Sequence, residues 1–248
     1  MTQPPPPPGG RVFPATRRTL LEAVRGGGEE RRRAHDALVA AYWKPVYKVL
    51  RLRFRVPAGE AEDLTQDFFL GCLEKGFFER YDAGRARFRT YLRTCLDGFV
   101  GHRREAEGRR KRGGGVTHLA VDFASAEDEV ARLLPAPDLD AEELFHREWV
   151  RHLFGMALER ARRSLEERGQ GGAWTVFERY DLEGTDDPRR PTYSDLASAL
   201  GIPESRVTNR LAAARRELRR AVLEVLAEVT GSDGELRDEA RAVLGVDP

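Results

Sequence analysis

Apolar positions recur at spacings near 3.6 along most of the chain, and no stretch alternates with the period of two that a half-buried strand requires. Residues 34–55 place Leu38, Ala41, Tyr42, Val46, Val49 and Leu50 on one helical face. "VPAG" (56–59) is a turn. A second helix runs from Glu60 to about Lys75, with Leu64, Phe68 and Cys72 at i, i+4 and i+8 and Phe69 and Leu73 beside them; Gly76 ends it. "FFERYDAGRAR" (77–87) reads as a loop through Asp82, Ala83 and Gly84. A third helix, about 88–106, dissolves into "EGRRKRGGG". Residues 116–140 are mixed, acidic and proline-containing, a linker with short local structure. Helical periodicity returns at 141–167 through Leu144, Val150, Leu153, Phe154, Ala157, Leu158, Ala161 and Leu165. "RGQGG" breaks it, 173–183 is a short helix, and "GTDDPRRP" (184–191) is a loop. Two helices follow closely, and Ser232 with Glu235, in capping-box spacing, starts a short terminal helix. The pattern predicts an all-α fold with two small helical domains joined by an acidic linker. Its segments are a proline-rich tail (1–12), a first domain (13–112), the linker (113–140), a second domain (141–231) and the C-terminal helix (232–248).

"YSDLASALGIPESRVTNRLAAARREL" (193–218) carries the sharpest spacing. Two helices crossing steeply over a tight turn need a small residue where they cross, glycine at the turn and an inward aliphatic residue beyond it. Ala197, Gly201 and Val207 occupy those positions, and Leu196, Leu200, Ile202 and Leu211 complete a core. Thr192 with Asp195 can cap the first helix, and Pro203 suits the start of the second. This is helix-turn-helix spacing, whose second helix lies in the major groove of DNA. Val207 and Leu211 face inward, so Ser205, Arg206, Thr208, Asn209, Arg210, Arg215 and Arg216 face out. Asn209 and Arg206 suit base edges, and Arg210, Arg215 and Arg216 suit phosphates.

Charge changes the picture because it is segregated. The net charge of +1 hides eight Lys/Arg against three acids in 29–55 and ten against three in 85–112. Residues 116–148 reverse this with two Arg against nine acids, and 204–220 return to six Arg against two. Basic blocks separated by an acidic one point to a polyanion bound at two places. In "RYDAGRARFRTYLR", cations alternate with Tyr81, Phe88 and Tyr91, a mixture suited to an unstacked single strand. A core role for Phe88 and Tyr91 competes with that reading.

Other classes find little support. Cys72 and Cys95 sit in apolar helical patterns as small buried thiols. No run of about 18 apolar residues is present for a membrane span. "MTQPPPPPGG" lacks the apolar core of a signal peptide, so a cytoplasmic protein is expected. The acids of "EAEDLTQDFF" (60–69) succeed one another on one helix, whereas a metal site needs ligands converging from separate elements. The five histidines form no spaced ligand pair, and no phosphate loop or nucleophile elbow appears. No enzyme activity, metal or cofactor is expected.

"EAEDLTQDFFLGCLEKGFF", "ARFRTYLRTCLDGFVGHRREAEGRRKR", the acidic linker and the helix-turn-helix together resemble an RNA polymerase sigma factor of the extracytoplasmic-function class, which keeps only regions 2 and 4. The resemblance covers roughly 34–112 and 141–226. It implies a sigma region 2 bundle that docks on the clamp helices of the largest polymerase subunit and opens the −10 promoter element. It also implies a region 4 that reads the −35 element beside the flap of the second-largest subunit, with the linker threading toward the active-centre cleft. Core RNA polymerase and promoter DNA are thus the implied partners, with an anti-sigma factor or other regulator as a further one. Carried onto this sequence, Asp63, Leu64, Gln66, Asp67 and Leu70 would bind the core. Arg85, Arg87, Phe88, Arg89, Tyr91, Arg93, Arg103 and Arg104 would bind DNA in region 2, and the outward set at 205–216 in region 4. The chain departs from the family pattern at Thr208, Ala212 and Ala213, at Asp97-Gly98 and in its longer "GTDDPRRPT" loop. The rival reading is a helix-turn-helix regulator that acts on DNA without joining the polymerase.

Overall fold

A computed structural model describes residues 23–107, 119, 121–132, 140–183 and 190–245, and among them every regular element is helical. The proline-rich tail, most of the Gly/Arg stretch after residue 107 and most of the "GTDDPRRP" loop lie outside these residues. The helices are α1 (Gly28–Leu52), α2 (Ala58–Glu74), α3 (Phe88–Glu107), α4 (Phe123–Arg132), α5 (Ala141–Glu167), α6 (Gly171–Phe177), α7 (Tyr193–Leu200), α8 (Glu204–Val229) and α9 (Asp233–Leu244). A single π turn, Glu178–Leu182, prolongs α6.

The face read from the sequence of α1 is only half of what the helix buries. Val39, Trp43, Pro45 and Tyr47 are buried as well, so from Leu38 to Leu50 α1 is buried on nearly all sides. One side meets α2, through the inward row Leu64, Phe68 and Cys72 that the sequence predicts. The other side meets α5: Tyr42 stacks on Phe145 and Trp149, with ring centroids 6.5 and 6.3 Å away. Trp43 and Tyr47 close on Phe123 of α4 at 5.4 and 5.3 Å. The first half of α5 therefore belongs to the packing of α1.

The second half of α5 packs on α8, where Arg160 holds Glu228 in a two-point ion pair at 2.8 and 2.9 Å. Glu217 of α8 is buried beside the same helix. Burial pushes its carboxyl up, but hydrogen bonds from Arg220, Ser164 and Arg168 outweigh that and pull it down to about 2. One apolar core thus runs from α1 through α5 into α8, across the segments 13–112 and 141–231.

Within the linker expected to hold short local structure, residues 123–132 form α4 and lie on α1. Glu127 accepts from the Tyr47 hydroxyl at 2.7 Å and from Arg51 Nε at 2.8 Å. Glu129 pairs with both Lys44 and Lys48. The acids of the connector thereby neutralise part of the basic block 29–55, which is not an open polyanion surface in this conformation.

α7 and α8 follow the sequence closely. Thr192 Oγ1 accepts from Asp195 N at 3.1 Å while Asp195 Oδ2 accepts from Thr192 N at 2.8 Å, a reciprocal capping box. Gly201 ends α7 at φ +63°, and Val207 and Leu211 are buried. A Cβ on Gly201 would meet nothing within 4 Å, so replacement costs backbone strain alone. Gly201→Ala is expected to lower stability by about 1 kcal/mol in urea titrations.

Candidate nucleic-acid interface and docking helix

The outward stripe of α2 begins at Asp63, which is exposed, and continues through half-buried Gln66, Asp67 and Leu70. Leu64 does not belong to it: the side chain is buried, one turn before Phe68, and fills the α1–α2 core. The stripe is also tied into its own chain. Asp67 is ion-paired with Arg103 of α3, and Gln66 Oε1 accepts the Leu119 N–H at 3.3 Å. Arg103, grouped with DNA contacts from the sequence, is therefore seated against the docking carboxylate. Arg104 lies on the same helix, its side chain outside the described residues.

Around the loop 81–89 the aromatic rings turn inward. Phe88 is completely buried, edge-on to Tyr42 at 5.4 Å and to Tyr81 at 5.1 Å. Tyr91 is half-buried and donates its hydroxyl to Phe77 O at 2.7 Å. The expectation that Phe88 stacks on a base is overturned in this conformation, because it has no open face; the rings anchor the loop from below. Burial first, and then the charge of Glu235, push the Tyr81 phenol well up, so it stays a neutral donor.

The cations of the loop differ among themselves. Arg85 projects into solvent with only Asp82 nearby, at 3.3 Å. Arg87 lies 3.5 Å from Glu239 of α9. Arg89 is nearly buried, with Nε 2.8 Å from Glu239 Oε1 and its guanidinium 5.7 Å from the centre of the Trp149 ring. Arg93 is paired with Asp97 and with Glu142 of α5.

On α8, Ser205, Arg206, Thr208, Asn209, Arg215 and Arg216 are exposed. Two cations expected on phosphate are engaged within the fold. Arg215 grips Asp181 of the π turn through two hydrogen bonds of 2.8 Å, over the Tyr180 ring. Arg210 is half-buried against the start of α6, so close that a Cβ on Gly172 would lie 2.9 Å from its Cζ. Ser205, Arg206, Thr208, Asn209 and Arg216 remain on the outward polar face.

Three acids were missed. Glu148 of α5 is buried against Lys48 of α1, and Glu235 and Glu239 of α9 accept from Phe88 N and Arg89 Nε. Glu148 had a local signal, a carboxylate one residue from Trp149 and in step with the apolar stripe. Glu235 and Glu239 had none beyond the helix cap, since their partners are some 150 residues away.

Residues 38–110 match the family model of Sigma-70 region 2. No curated protein matches the chain. The match covers less than a third of the chain and shows a likeness of that segment to region 2 of sigma-70 factors, which act in transcription initiation with RNA polymerase. Among the described residues, no group of His, Cys, Asp and Glu could hold a metal ion, and no helix is long and apolar enough to cross a membrane.

Proposed function

We propose that this chain is a two-domain sigma factor of the extracytoplasmic-function class. Segment 13–112 serves as region 2 and segment 141–231 as region 4. Region 2 docks on the clamp helices of core polymerase through Asp63, Gln66, Asp67 and Leu70, and it melts the −10 element at the loop 81–89. Arg85, Arg87 and Arg89 would hold the strand there by its phosphates. Region 4 reads the −35 element through Arg206, Thr208 and Asn209 on the outward face of α8, near the polymerase flap. The role is positional, with no catalytic residue of its own, and the place of action is the cytoplasm, where the polymerase works. An anti-sigma factor remains a natural regulator of such a chain.

One observation carries this reading. A chain whose residues 38–110 match Sigma-70 region 2 also carries, downstream, a capped helix, a left-handed glycine turn and a second helix with a polar, cationic outer face. Two separated DNA-facing elements are what recognition of a bipartite promoter requires.

The test is in-vitro transcription with core polymerase on a fragmented genomic library, with start sites mapped. We expect initiation dependent on this chain, at sites sharing two upstream sequence blocks. Specific DNA binding by the chain alone, with no core-dependent transcripts, would replace this reading with a regulator that acts outside the polymerase.

A further inference from the structure

α3 opens at Phe88, whose N–H has no partner within the helix. Glu235 of α9 supplies one: its Oε1 accepts the Phe88 N–H at 2.6 Å. The other oxygen of Glu235 accepts from Gly231 N at 2.7 Å and lies 3.1 Å from the Tyr81 hydroxyl, whose one proton it shares with Ala86 O at 2.8 Å. One turn along α9, Glu239 Oε1 meets Arg89 Nε at 2.8 Å and Arg87 Nη1 at 3.5 Å. Two carboxylates at i and i+4 thus sit in a seat made of a helix N-terminus and two guanidinium groups. Those are donors that bind phosphate oxygens equally well.

We propose that α9 is an internal competitor for the promoter strand, with Glu235 and Glu239 occupying the anion seat of the loop 81–89 until DNA displaces them. The proposal rests on the reading of that loop as a DNA-binding surface. The attachment of α9 is suited to release. Only Leu236 and Ala240 are deeply buried among its apolar side chains, with Val243 and Leu244 half-buried. Thr230, Gly231 and Ser232 alone join it to α8. Ser232 caps the helix by accepting Glu235 N at 3.1 Å, so α9 carries its own N-cap when it leaves the seat. Closure also leaves a polar atom unsatisfied, since Glu239 Oε2 is buried with no hydrogen-bond donor. Arg85, which extends into solvent, is placed to make the first contact with an incoming strand.

The experiment measures binding of the full chain to a fluorescein-labelled, mixed-sequence single-stranded DNA 20-mer by anisotropy. Two variants open the seat independently: the Glu235→Gln/Glu239→Gln pair removes the competing charges, and Leu236→Ser loosens the packing with the net charge unchanged. Asp233→Asn/Asp238→Asn, on the exposed face of α9, controls for the altered charge of the first. We expect both opened variants to bind about tenfold more tightly than wild type, as when a competent state rises from about a tenth of molecules to nearly all. The control pair should change little, and adding Arg87→Ala/Arg89→Ala should abolish the gain. If Leu236→Ser speeds amide exchange in α9 without tightening binding, and the arginine substitutions still weaken it, α9 is no competitor while the loop remains a DNA surface. If the arginine substitutions have no effect in an opened variant, the DNA reading of the loop itself fails.

Discussion

Lys48→Met is expected to lower the stability of the protein by about 3 kcal/mol, the scale of breaking a buried ion pair by removing one partner. Lys48 is 2% exposed at its side chain, and its ammonium lies 2.5 Å from Glu129 and 2.8 Å from Glu148, whose side chain has no exposure. Burial pushes the Glu148 carboxyl up, but the Lys48 hydrogen bond and charge, with Arg151 and Arg147, outweigh it and keep the group ionised. Without Lys48, that charge keeps only Arg151 at 2.7 Å and Arg147 at 3.2 Å, both on its own helix. The loss falls where α4 and α5 are fastened to α1. Thermal unfolding should show one cooperative transition, because the core is continuous, with its midpoint about 6–12 °C below wild type. Lys48→Met/Glu148→Leu should recover much of the loss, since a well-packed apolar pair can replace a buried ionic one. A single variant as stable as wild type would show that the arginines alone satisfy Glu148.

The same network explains which parts of the fold were legible in the sequence. The α7–α8 turn was readable because its determinants are local: Thr192 caps Asp195 three residues on, Gly201 takes the left-handed turn, and Val207 points inward one turn into the next helix. The α2 core row was readable for the same reason. The second face of α1 was not, because Trp43 and Tyr47 look like surplus apolar residues until α4 and α5 arrive to cover them. Helix α4 was obscured by its acids, whose partners Lys44, Lys48 and Arg51 lie 76 or more residues away. At the candidate site, the sequence shows residue types but not their orientation. Phe88 and Tyr91 are aromatic beside arginines, as a single-strand surface would have them, yet the ring of Phe88 fills the space between Tyr42, Phe78 and Tyr81. Periodicity assigns a side chain to a face but does not reveal that a distant helix covers it.

Charge reversal on the α2 stripe, Asp63→Lys with Asp67→Lys, is expected to weaken binding to core polymerase about a hundredfold, roughly 2.7 kcal/mol, while leaving the fold intact. The expectation rests on the proposed docking role of this face. The two positions should contribute differently. Asp63 is exposed, so its reversal alters the surface potential alone and should cost about tenfold in affinity. Asp67 is half-buried and paired with Arg103, so a lysine there adds repulsion from Arg103 to repulsion from a basic partner. Its reversal alone should therefore lower the melting temperature slightly as well as the affinity. Glu159→Lys with Asp36→Lys, at exposed positions on α5 and α1, makes the same change in net charge away from the stripe and should leave binding within about twofold. Titration of purified core with labelled protein distinguishes the two pairs. Equal losses from both would mean that the core senses only overall charge, and unaltered binding by the α2 pair would move the docking surface off this helix. Leu64 marks the boundary of the surface: being buried, it should affect the core interaction only through stability, so Leu64→Ala should shift unfolding and binding together, whereas Asp63→Lys shifts binding alone.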